Sequence, residues 1–64
     1  MTSREIMKTL YPGMPEWQLA ANIAWLEAQA EYVKDGGFII SPRDGWVVKK
    51  VRDGEFEIEG VYKT

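Results

Sequence analysis

The chain has 64 residues and a formal net charge of −2, ten acids against eight bases, with no Cys and no His. One small domain spanning residues 1–64 is all that this length holds. The composition excludes disulfides and thiolate metal sites. It also leaves no imidazole to act as base or ligand, and so excludes a Ser-His triad.

Three Trp, three Tyr and two Phe are the main material for a core, because aromatic side chains bury the largest area per residue. A chain of this size buries only about 60% of the surface its unfolded form exposes, so size alone points to a possible homodimer. Met1-Thr2-Ser3-Arg4-Glu5 leads into no apolar stretch of the signal-peptide kind. No apolar run reaches the ~20 residues of a membrane span. A soluble, cytoplasmic protein with no membrane partner is expected.

The first element is a helix over about residues 3–10. Thr2-Ser3-Arg4-Glu5 matches the capping box, and Ile6, Met7 and Leu10 form one short apolar face. Tyr11-Pro12-Gly13-Met14-Pro15 ends it, since Pro12 disfavours helical geometry at Tyr11. Residues 15–34 then read as one long helix. Pro15 and Glu16 suit its first turn, and Leu19, Ile23, Leu26, Ala30 and Val33 recur at spacings of four and three as its buried stripe. Ala20, Ala21, Ala24 and Ala28 flank that stripe and permit close approach of a neighbour. Gln18, Asn22, Trp25 and Gln29 follow the same spacing one step round. Glu27 and Glu31 read as solvated. Gly36 or Gly37 is expected to cap the helix, with Lys34 near its negative end.

From Phe38 the apolar period changes to two. Phe38–Ser41, Trp46–Val51 and Glu55–Glu59 favour strand, separated by Pro42-Arg43-Asp44-Gly45 and Arg52-Asp53-Gly54. Each separator holds Asp-Gly, a strong hairpin signal. A two-residue turn at Asp53-Gly54 sets Arg52 opposite Glu55 and Lys50 opposite Glu57. A three-residue turn pairs Lys49 with Glu57 and Val48 with Ile58. The charge pairs favour the first and apolar burial the second. The expected fold is α+β: a short helix, a long helix, and a three-stranded antiparallel meander packed on the long helix.

Chemistry has few candidates. Glu55, Glu57 and Glu59 alternate along one strand, a pattern that suits a cation or acid–base work. The plainer reading is a solvated face that protects an edge strand. The glycine-rich pieces match no phosphate loop. No catalysis, cofactor, metal or small-molecule substrate is expected. Trp17 and Trp25 stand outside the main stripe, and the need to fill a small core favours burial of at least one. Otherwise they are anchors for a protein partner, where Trp is enriched.

The segments Arg4–Tyr11, Glu16-Trp17-Gln18-Leu19 with Ile23-Ala24-Trp25-Leu26-Glu27, Gly45-Trp46-Val47-Val48 and Glu57-Ile58-Glu59-Gly60 together resemble a winged helix-turn-helix regulator of the short ArsR-like kind found in Mu-like phages. The chain departs from that pattern in two places. Pro12–Pro15 leaves no space for a helix before the recognition helix, and the recognition helix is nearly free of bases. The resemblance implies a transcriptional regulator that binds DNA as a dimer. Gln18, Asn22 and Gln29 would read base edges, while Lys34, Arg43 and Lys49 would meet phosphates. The alternative expectation is a protein-binding module, such as a phage-type inhibitor or adaptor of a host protein. It would use Trp17, Trp25 or the acidic strand face of Glu55, Glu57 and Glu59.

Overall fold

The capping box forms as the first residues require. In a computed structural model that describes residues 1–62, helix α1 spans Ser3–Leu10. The Glu5 amide donates to Thr2 Oγ1 at 3.2 Å, and the Thr2 amide donates to Glu5 Oε1 at 2.8 Å. Two otherwise free donors are thereby satisfied. These hydrogen bonds, the one from the Thr2 amide foremost, hold the Glu5 carboxyl below its usual range. Ile6 and Met7, on one side of α1, are fully buried.

Helix α2 spans Glu16–Ala30. Pro15 sits at the N-cap, one residue earlier than its expected helical position, with no side-chain cap. The helix stops four residues short of Lys34, the expected end. Its last turn tightens, with the Tyr32 and Val33 amides donating to the Gln29 and Ala30 carbonyls at 3.1 and 3.2 Å. Lys50 reaches over from the sheet, its Nζ donating to the carbonyls of Ala30 at 2.9 Å and Val33 at 2.8 Å. A distant cation thus does the work expected of a glycine cap and Lys34. Gly36 takes the left-handed φ of +88° expected of it and the Gly37 amide donates to the Lys34 carbonyl at 2.9 Å, but both stand past the helix end, where they also bond to the Lys50 backbone at 2.6 and 2.8 Å.

Three strands follow: β1 Phe38–Ile40, β2 Trp46–Arg52 and β3 Glu55–Val61. They form an antiparallel sheet in the order β1-β2-β3. Gly45 and Gly54 take φ of +76° and +77°, a region open to glycine at little cost. At Gly45 the space is closed as well, since a Cβ would lie 2.2 Å from the Tyr62 carbonyl oxygen. The second hairpin takes its turn from one expected register and its inner pairing from the other, and Lys50 stands opposite Phe56 rather than Glu57. Asp53-Gly54 makes a two-residue turn with Arg52 opposite Glu55, a bulge follows at Val51, and beyond it Lys49 faces Glu57 and Val48 faces Ile58. Charge pairing is kept at the turn and apolar pairing further in.

Both helices lie on one side of the sheet. Ile6, Met7, Leu19, Leu26 and Ala30 meet Ile39, Trp46, Val48 and Phe56 in a single core. Strand alternation then turns Phe38, Ile40, Val47, Lys49 and Glu57 to the other side. The two-helix, three-strand arrangement is the expected α+β architecture, and its shape is compatible with a winged helix. Among the described residues no helix is long and apolar enough to cross a membrane.

Candidate functional site

Helix α2 is apolar on both faces. Leu19, Leu26 and Ala30 enter the core. On the opposite side Trp17, Ala21, Ala24 and Ala28, at spacings of four, three and four, are all exposed. Three of the four alanines expected to flank the buried stripe thus form a stripe of their own, headed by Trp17, which is 75% exposed. A helix that is apolar all round is ordinarily covered all round, yet no described residue covers this side.

The margins of the stripe differ. Glu16, Glu27 and Glu31 line one margin; Gln18, Trp25 and Gln29 line the other. No base occurs from Glu16 to Glu31. Arg4 of α1 bridges to Glu16, and the Ser3 hydroxyl donates to Glu27 Oε2 at 2.6 Å. Two of the carboxylates therefore also hold α1 against α2, and Glu31 stays exposed.

An aromatic corner supports the Trp25 margin. Trp46, buried at the start of β2, donates its indole N–H to the Tyr11 hydroxyl at 2.7 Å. Tyr11 in turn donates to the Asp44 carboxylate, and the Asp44 amide donates to Ser41 Oγ at 3.1 Å. Burial, followed by donation to Asp44, pushes the Tyr11 hydroxyl above the ordinary phenol range, against the pull of the Trp46 donor. Tyr11 therefore keeps its proton directed at Asp44. Trp25 rests edge-on against Trp46, with ring centroids 5.8 Å apart and planes at 86°, a favoured aromatic geometry. Neither Trp17 nor Trp25 is buried, contrary to the core-filling expectation: Trp46 and Phe56 fill that space instead.

Asn22, Trp25 and Arg43 come together around a cavity of ≈ 180 Å³ beside the Ser41–Gly45 loop, below the ~300 Å³ at which small-molecule pockets begin. An open groove of ≈ 820 Å³ runs along the other side of the loop, past Leu10, Ile40, Val61 and Tyr62. Other expected residues are dispersed. Gln18 and Gln29 are exposed on α2, Lys34 and Arg43 stand at opposite ends of β1, and Lys49 lies on the outer sheet face. Asn22 has committed its amide, donating to the Gln18 carbonyl at 2.9 Å and to Met14 Sδ at 3.4 Å. Glu55 stands 3.7 Å from Arg52, Glu57 is opposite Lys49, and the pairing skips Glu59. Among the described residues no cluster of acids is arranged to hold a metal ion.

Sequence reasoning passed over Tyr11, Trp46, Asp44 and Lys50. Tyr11 is 33 residues from Asp44 and 35 from Trp46, and the hydrogen bonds that join them leave no periodic signal. The outer alanine stripe was visible as spacing alone, since it repeats the helical period of the inner one. No family model matches this chain, and neither curated proteins nor solved structures give a match.

Proposed function

We propose that this is a non-enzymatic protein-binding module that docks a basic partner polypeptide on the outer face of α2. The observation that carries this reading is a solvent-facing apolar stripe with Trp17 at its head and only carboxylates among its charges. Small residues let a partner backbone come close, and an exposed indole offers a large, stiff contact of the kind found at the centre of interfaces. Trp25, held against Trp46, adds a second anchor that needs little ordering on binding. Carboxylates along one margin favour a partner that brings Lys or Arg and repel acidic competitors.

The winged-helix reading with DNA as partner draws its support from the shape of the fold and from Arg43 at an exposed hairpin tip beside Asn22. Against it, the outer surface of α2 offers no cation to a phosphate, and phosphate contacts supply most of non-specific affinity.

Two assays separate the readings. Immobilised protein is expected to retain a partner from a host lysate, with retention lost in Trp17→Ala and in Ala24→Glu. A retardation assay with random duplex at low salt is expected to show no shift. A salt-sensitive shift that Arg43→Ala abolishes, with nothing retained through Trp17, would replace the protein-binding reading with the DNA-binding one.

A further inference from the structure

Three aromatic rings and a carboxylate stand around the cavity of ≈ 180 Å³ beside the Ser41–Gly45 loop: Tyr11, Trp25, Trp46 and Asp44. The planes of Trp25 and Trp46 lie at 86°, so the two indoles form adjoining walls at a right angle. Hydrogen bonds fix the other parts. Trp46 is buried with its N–H on the Tyr11 hydroxyl, and Tyr11 is held in turn by Asp44. The loop sets the carboxylate, since the Asp44 amide donates to Ser41 Oγ and the Gly45 amide to the Ser41 carbonyl, at 3.1 and 2.9 Å. Among the described residues no cation pairs with Asp44.

The face of an aromatic ring carries the negative part of its quadrupole and attracts cations. We propose that this cavity takes the trimethylammonium group of a quaternary-ammonium ligand, with Tyr11, Trp25 and Trp46 as its walls and Asp44 as its counter-ion. Size selects that group. At ~30 Å³ for each water of the liquid, the space matches a nitrogen with its methyl groups and is too small for a larger substrate. Hydrogen bonding selects it too. A bare Lys ammonium brings three N–H donors, whereas the one carboxylate here already receives the Tyr11 proton. A quaternary ammonium has no N–H, so a site poor in acceptors leaves none of its groups unsatisfied.

Arg43 also lines the cavity. It is exposed, and water and salt weaken its repulsion of a bound cation. The same head group is presented by a free amine such as choline and by a trimethylated lysine of a polypeptide. The site stands whether or not a partner covers the outer stripe of α2.

The test is a titration of the full chain with choline, followed by the indole N–H signals in two-dimensional NMR. The Trp25 and Trp46 signals are expected to shift and saturate with a Kd on the order of millimolar, as suits so small a ligand, while the Trp17 signal stays in place. The neutral carbon isostere of choline, with a tert-butyl group for the trimethylammonium, is expected to bind about tenfold more weakly. Trp25→Ala is expected to lose about tenfold in choline affinity and Asp44→Asn about threefold, whereas Arg43→Ala is expected to gain about threefold. These three side chains are exposed, and circular dichroism checks the fold of each variant. A glycine peptide with a central trimethyl-lysine separates the sources. Tighter binding of the peptide than of choline upholds the site with a polypeptide ligand, and the reverse order upholds it with a free amine. No saturable shift at Trp25 and Trp46, equal binding of the carbon isostere, or equal binding of the same peptide with unmodified lysine would overturn the proposal.

Discussion

On α2, the outward stripe of Trp17, Ala21, Ala24 and Ala28 has Glu16, Glu27 and Glu31 along one margin and Gln18, Trp25 and Gln29 along the other. On the outer side of the sheet, Lys49 faces Glu57, with Glu55 and Glu59 along the same strand, beside Phe38, Ile40 and Val47. Both surfaces are apolar and open, so hydrophobicity does not distinguish them. Charge does. A surface with one sign of charge selects a partner of the other sign, whereas a surface that carries both signs selects mainly by shape.

Changes made separately on the two sides of α2 are expected to have the largest and most distinct effects. Leu26→Ala, on the inner side, is expected to cost ~2–5 kcal/mol of stability, read as a lower urea midpoint. Trp17→Ala, on the outer side, is expected to stay within about 0.5 kcal/mol of wild type. The same Trp17→Ala change is expected to cost ~2 kcal/mol or more in partner affinity, measured by calorimetry on the retained partner. A midpoint loss for Trp17→Ala as large as that for Leu26→Ala would show that the indole serves the fold rather than docking.

Lys50 couples the two regions, since it lies on the sheet and caps α2. Lys50→Met is expected to cost ~1–3 kcal/mol by leaving the carbonyls of Ala30 and Val33 without a donor. Hydrogen exchange is expected to rise at residues 30–36 while the first turns of α2 remain protected. Uniform exchange along α2 would place the cap elsewhere.

The smallest effect concerns α1, which braces α2 from the side. Glu5 has a folded pKa below its usual one, so its contribution is complete above the ordinary carboxylate range. That contribution is lost as pH falls through the lowered folded value. Thermal melts of wild type against Glu5→Gln are expected to differ at neutral pH and converge on acidification. A difference that persists unchanged into acid would remove the capping carboxylate from the account.

Local chemistry was the legible part of the sequence. The Thr2–Glu5 box, the stop at Pro12 and the two Asp-Gly turns each act over a few residues, and each lies where its spacing placed it. The register of the last hairpin was undecided because two forces favoured different answers, and the bulge at Val51 serves both. The end of α2 was misread because its cap comes from Lys50, far along the chain. Burial of the tryptophans was hidden for a related reason. Trp17, Trp25 and Trp46 are chemically alike, and which of them enters the core depends on the Tyr11–Asp44 hydrogen bonds and on strand pairing. The outer face of α2 was hidden by its own regularity: alanine favours helix whether or not it is covered, so the pattern that built the element said nothing about who sits on it.

The most direct test of the charge-selected docking face is a titration with two designed amphipathic helical peptides of identical leucine pattern, one with Lys and one with Glu at every polar position. The Lys peptide is expected to bind and to shift tryptophan emission to the blue, Trp17→Ala to abolish both changes, and the Glu peptide to leave the spectrum unchanged. Equal response to both peptides, or binding of the Lys peptide undiminished in Trp17→Ala, would contradict it.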